Sequence, residues 1–143
     1  PAPTELAFSE SPPAVAALEE TTKLIAKMPR GLVYASLDLL TDEAATAAAA
    51  LEDFDRRLPD LFEKLRVGDV VVITGDHGRD LTRPAKVSTR EYVPLLVTGP
   101  KLSQGVNLGV RASAADLGQT IVEALKAERL PVGESFFESL RAG

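Results

Sequence analysis

The chain has 143 residues, 45% of them hydrophobic, with no cysteine and one histidine. That is the size and apolar content of one folded domain, and it excludes a disordered chain, a disulfide scaffold, a thiolate zinc site and any centre assembled from several histidines. With 16 basic and 21 acidic residues the net charge is −5, so no positive field favours nucleic acid as a partner.

The first helix signal opens at Ser11, a capping residue followed by Pro12 and Pro13, which need no amide partner in a first turn. Val15, Leu18, Thr22 and Ile25 then share one face, and Pro29-Arg30-Gly31 ends the element. Gly31 to Leu37 is short and apolar and reads as a buried strand. Thr41 caps a second helix, with Asp42 and Glu43 at its positive end. Its apolar stripe is Leu51, Phe54, Leu58, Leu61, Phe62 and Leu65, interrupted by the missing donor of Pro59. The alanine run 44–50 is helix-forming and carries no functional reading.

Gly68-Asp69 turns the chain into Val70–Thr74, whose β-branched run predicts a strand covered on both faces, as in a parallel sheet. Gly75 to Glu91 is a long polar connection, the kind that carries function. Val93–Thr98 is a third strand, with Pro94 at its start or on an edge. Ser113 and Asp116 have the spacing of a capping box for a helix that turns Leu117, Ile121, Val122 and Leu125 inward. In the tail, Phe136, Phe137 and Leu140 are expected to dock on the body. This order predicts one α/β domain over residues 1–143, three-layered, with a mostly parallel sheet and flanking helices.

A membrane is not expected as a partner: the densest apolar run, Val70–Ile73, is strand-sized, against roughly 20 residues for a span. Pro1–Glu5 lacks a basic, apolar leader pattern, so a cytoplasmic location is expected. Pro1 itself implies removal of an initiator methionine or excision from a longer chain.

Ligands of α/β sheets gather beyond the carboxyl ends of the strands. Thr74-Gly75-Asp76-His77-Gly78 lies at such an end, where the glycines allow a sharp turn, and Asp76 with His77 sets one hard oxygen beside one imidazole nitrogen. That pair suits a divalent metal; the bland alternative is a solvated loop histidine beside a turn-forming aspartate. Asp38, after the first predicted strand, is a further candidate ligand or else a plain loop carboxylate. Arg79, Arg83, Lys86 and Arg90 follow in the loop and suit a phosphate monoester, unless they merely balance Asp80 and Glu91. Ser88, Thr74 and Thr82 are the nearby hydroxyls, and nothing in the sequence activates them as nucleophiles. No phosphate-cradling glycine loop, nucleophile elbow or dinucleotide fingerprint is present.

The run from Thr74 through Asp76-His77-Gly78-Arg79-Asp80 to Thr82, followed by Ser88-Thr89-Arg90-Glu91-Tyr92-Val93-Pro94-Leu95-Leu96, resembles the C-terminal signature of the phosphopentomutases, within the alkaline phosphatase superfamily. Leu51 to Pro59 upstream and Val106-Asn107-Leu108-Gly109 with Ala115-Asp116-Leu117-Gly118 downstream extend the resemblance over most of the chain. It implies a partial alkaline-phosphatase-like core without its cap domain. The implied reaction interconverts ribose 1-phosphate and ribose 5-phosphate, with two manganese ions and a phosphorylated threonine. By the same resemblance Asp76 and His77 match a metal-ligating pair, and Asp38 matches a further ligand whose companion histidine is missing. Ser88 stands where the family has another ligating histidine, with Val87 at a neighbouring aspartate. Arg79 and Arg90 are the weaker candidates for substrate phosphate.

The family's early ligand aspartate and its threonine nucleophile match nothing in this chain. Three functions therefore compete. One is a phosphopentomutase-like metalloenzyme domain, inactive alone, holding manganese, another divalent metal, or none; a sugar phosphate is its substrate if it is active. Another is a non-catalytic binding or assembly module, whose uncovered sheet edge pairs with a second copy or with the missing N-terminal part. The third, a small phosphate-ester hydrolase, lacks an identifiable nucleophile.

Overall fold

A computed structural model describes residues 14–39, 43–80, 82 and 88–141, without the side chains of Ala14 and Val15. Its elements are α1 (Ala14–Lys27), α2 (Ala44–Phe62), β1 (Val71–Thr74), β2 (Leu95–Thr98), α3 (Ala115–Ala124) and α4 (Phe137–Leu140). They group into two compact units, one built on α1, α2 and the segment Thr74–Leu95, the other on Arg66–Ile73 and the chain from Leu96 onwards.

In the first unit α1 packs on α2. Leu18 is buried, and Thr22 and Ile25 of the same face are half-buried. Thr21 and Thr22 turn their hydroxyls back on the helix, donating to the carbonyls of Ala17 (2.8 Å) and Leu18 (2.9 Å), which satisfies a polar group inside a helical face. The expected caps Ser11 and Thr41 lie outside the described residues. In α2 the buried positions are Ala47 and Leu61, while Leu51 and Phe62 of the expected stripe are exposed. Ala47 is 1% exposed, so the alanine run does have a packing role: a small side chain lets a neighbouring element approach closely. The helix continues through Pro59, whose carbonyl accepts from the amide of Glu63 at 3.0 Å.

Two expectations about the sheet are corrected. Residues 32–39 form no strand, although Val33 and Leu37 are half-buried and Leu32 and Tyr34 exposed, the alternation of a strand. No described strand lies beside them to complete a ladder, and without one the period-two pattern has no hydrogen bonds to hold it. Nor do the described residues form a three-layer, mostly parallel sheet. β1 and β2 form a two-stranded antiparallel sheet. A parallel neighbour needs a crossover, usually a helix; the described part of the connection from Gly75 to Pro94 contains no helix and returns directly. Val71–Ile73 are half-buried and Val70 is exposed, so the apolar run is not sandwiched between two layers.

The second unit is organised by α3 and the tail. Phe136 and Leu140 are buried, as the apolar tail predicts, but what holds them is polar. Asp116, Gln119 and Thr120, three and four residues apart on one face of α3, are buried together. Their side chains receive main-chain amides of the tail: Glu134 donates to Asp116 Oδ1 (2.9 Å), Leu130 to Gln119 Oε1 (3.0 Å) and Phe136 to Thr120 Oγ1 (3.0 Å). Arg111 donates through Nε to Asp116 Oδ2 (3.0 Å) and through Nη2 to the Glu134 carbonyl (3.1 Å), and its guanidinium lies 5.4 Å from the Phe136 ring centroid. The expected capping box is therefore only half formed. Ser113 Oγ accepts from the Ala115 amide (3.1 Å), but Asp116 serves the tail, because its carboxylate finds there an amide and a guanidinium that a cap would not supply.

The Glu134 amide holds the Asp116 carboxyl below the ordinary value of 3.8; burial opposes this, and Arg111 adds to the lowering. The unfolded chain takes up this proton near 3.8 and the folded chain resists it, so the stabilisation is complete above that pH and is lost as pH falls through the depressed folded value. Asp116→Asn is expected to be less stable than the native chain at neutral pH, with the two urea-unfolding curves converging as pH falls through the depressed folded value. Parallel curves across that range would show that Asp116 is not the responsible group.

Candidate functional site

The candidate residues lie where the chain leaves β1 and turns back toward β2. Thr74 Oγ1 donates to the Pro94 carbonyl at 2.8 Å. A Cβ on Gly75 would sit 3.0 Å from Val93 Cγ1. At Gly78 it would sit 2.7 Å from the Glu91 amide nitrogen and 2.8 Å from Glu91 Oε2. Gly78 is thus required for the close approach of the returning backbone, and Gly75 leaves only a tight fit for a side chain against Val93. Neither has positive φ, so the sharp-turn reason expected for them is replaced by a steric one.

Gly78 and Thr89 form an isolated antiparallel bridge, the Thr89 amide donating to the Gly78 carbonyl at 2.8 Å. From Gly75 to Gly78 the outgoing segment takes three steps, whereas the return from Thr89 to Val93 takes four. Asp76 and His77 lie on the outgoing segment between these two contacts, and Arg90, Glu91 and Tyr92 on the return.

Within this bend His77 Nδ1 lies 2.7 Å from Asp76 Oδ1, with both side chains open to solvent. The structure thus joins the two adjacent candidates. Asp38 is exposed in the stretch 32–39, and among the described residues no three His, Cys, Asp or Glu side chains assemble into a group able to hold a metal ion. Asp38 does not complete a set with Asp76 and His77. Ser88 and Arg90 are exposed and Arg79 is half-buried. Arg83, Lys86 and Val87 lie outside the described residues. Of the candidate hydroxyls, Thr74 donates to Pro94 and Thr82 donates to Asp80 Oδ1 at 2.6 Å, so both are engaged as turn and hairpin fasteners.

Sequence reasoning missed the cluster of Arg111, Asp116, Gln119, Thr120 and Glu134. The polar spacing 116, 119, 120 inside an otherwise apolar helix was its available signal.

Residues 40–129 match the family model described as the metalloenzyme superfamily. The chain belongs to the metalloenzyme superfamily. Among similar proteins, this superfamily member is 43% identical over 129 residues to a phosphopentomutase of Desulfitobacterium hafniense, covering 86% of this chain and 33% of the relative. To a phosphopentomutase of Herpetosiphon aurantiacus it is 52% identical over 94 residues, 66% of this chain and 24% of the relative. To that of Symbiobacterium thermophilum it is 40% identical over 131 residues, 87% and 33% respectively. The resemblance to the phosphopentomutases is thereby established. The chain spans about a third of the length of the curated relatives it matches. No helix among the described residues is long and apolar enough to cross a membrane.

Proposed function

We propose that this phosphopentomutase-like domain carries the Asp76–His77 arm of a divalent-metal site and that, as this chain, it is catalytically incomplete. The observation that carries the reading is the 2.7 Å contact of Asp76 with His77 at the mouth of β1, in a chain whose described residues bring no third ligand to them. One carboxylate and one imidazole are a chemically suitable start for manganese or a similar ion. They are fewer than the four to six donors such an ion takes, so the described residues do not fit a complete centre, and no catalytic step is derived through one.

What these residues do by themselves is limited and definite. Asp76 orients the imidazole through Nδ1, as carboxylates orient ligating histidines. Thr74, with its hydroxyl committed to the Pro94 carbonyl, fastens the strand end rather than attacking substrate.

With excess manganese and ribose 1-phosphate, the purified chain is expected to form no ribose 5-phosphate above the rate without protein. Manganese binding, read by calorimetry, is expected to be weak and to vanish in Asp76→Ala. Manganese-dependent turnover by the native chain, abolished in that variant, would overturn catalytic incompleteness. Manganese binding unaffected by the variant would overturn the assignment of the arm.

A further inference from the structure

The chain leaves α3 through a Schellman turn: the Lys126 amide donates to the Glu123 carbonyl (2.9 Å) and the Ala127 amide to the Val122 carbonyl (2.8 Å). The left-handed position of such a turn is ordinarily glycine, because an L side chain is strained there. Here it is Lys126, at φ 56, the one non-glycine residue with positive φ among the described residues. Nothing local asks for the break. From Gln119 to Leu130 the sequence has neither Gly nor Pro, and Leu125-Lys126-Ala127-Glu128-Arg129 are strong helix formers. Pro131 is the first residue that would stop the helix. Residues 126–132 are all exposed, so no buried side chain anchors the turn. The break serves to return the tail to its own α3.

We propose that residues 126–132 are a hinge and that the tail exchanges between two copies of this chain, residues 130–141 of each docking on the α3 of the other. In the exchanged form α3 runs on through Arg129, and Lys126 takes the right-handed conformation that its neighbours favour. The straightened helix carries the tail away from its own docking site, which accepts an identical tail without new chemistry. Asp116, Gln119 and Thr120 receive the main-chain amides of Glu134, Leu130 and Phe136. At the far end Ser103 donates its amide to the Leu140 carbonyl (2.9 Å) and its hydroxyl to the Arg141 carbonyl (2.9 Å). A vacated site would leave the buried polar row of α3 without these partners and put Phe136 and Leu140 in water. A second copy's tail is the occupant that supplies those amides together with both apolar side chains.

Lys126→Gly is expected to raise the melting temperature at low protein concentration. It is also expected to shift the dimer dissociation constant about 100-fold toward monomer, roughly ten-fold for each of the two hinges. Lys126→Ala keeps the strain and improves the helix, so it is expected to dimerise at least as readily as the native chain. Light scattering across protein concentration, after equilibration in mild urea, reads both. Because the chain has no cysteine, exchange itself is read by Leu102→Cys with Arg141→Cys, at an isolated antiparallel bridge whose Cα spacing suits a disulfide. Oxidised at high concentration, this double variant is expected to run as a covalent dimer on a denaturing, non-reducing gel; oxidised when dilute, it is expected to run as a monomer. A native chain that stays monomeric at every concentration overturns the proposal. So does a dimer whose disulfides lie within each chain, or a dissociation constant that Lys126→Gly leaves unchanged.

Discussion

Phe136→Ala is expected to lower unfolding stability by about 3–5 kcal/mol, the usual cost of emptying a buried aromatic position. The ring is 3% exposed and has the Arg111 guanidinium 5.4 Å from its centroid. Its backbone amide is fixed by Thr120 Oγ1 at 3.0 Å, so the surrounding chain has little freedom to collapse into the gap. Among the described residues of the second unit Phe136 and Leu140 are the buried apolar side chains, and losing one of them removes a large share of its apolar packing. Urea unfolding gives the magnitude. Hydrogen exchange locates it: the amides of Glu134 and Phe136 and those of α3 are expected to lose protection while α1 keeps its own. A loss under about 1 kcal/mol would show that the polar contacts alone hold the tail.

Gly133→Val is expected to cost about 2–4 kcal/mol through a different cause. Gly133 has φ +97, and a Cβ there would overlap the carbonyl of Ala115 and approach the Asp116 amide nitrogen to 3.1 Å. The left-handed backbone contributes roughly 1 kcal/mol of strain for an L side chain, and forcing the tail off the first turn of α3 adds the rest. Gly105 separates the two terms, because it has φ +70 with nothing within 4 Å of a Cβ. Gly105→Ala is expected to show only the strain. Equal melting-temperature shifts for Gly133→Ala and Gly105→Ala would mean that the tail moves away from α3 without cost.

Both substitutions test a strap whose fastening is mostly side chain to main chain. That fastening explains which parts of the fold were legible beforehand. The helices were, because Leu18, Ile25, Leu58 and Leu61 recur at helical spacing and that period is local information. The runs around β1 and β2 were equally clear from their β-branched content. Their pairing was not. Val70–Ile73 reads as a strand buried on both faces, and only the returning segment, seated against Gly75 and Gly78, makes it half of an antiparallel pair. Gly31–Leu37 has a strand's alternation and no ladder, since hydrogen-bonded partners come from elsewhere in space. Asp116 has the spacing of a capping residue, yet three-dimensional proximity gives its carboxylate the Glu134 amide and Arg111.

The candidate site divides in the same way. That Asp76-His77 follows a strand end, with arginines close behind, is visible in the order of residues, and the family to which the chain belongs follows from that order. The opening inventory of one histidine, no cysteine and a negative net charge determined what this protein lacks: a multi-histidine centre, thiolate chemistry and a globally positive surface. Tertiary structure alone decided how the remaining groups are shared out. It set Asp76 on His77 and left Asp38 outside any three-ligand group among the described residues. The physical reason is that composition fixes the sum of charges, whereas contacts between residues distant in the chain fix which groups meet.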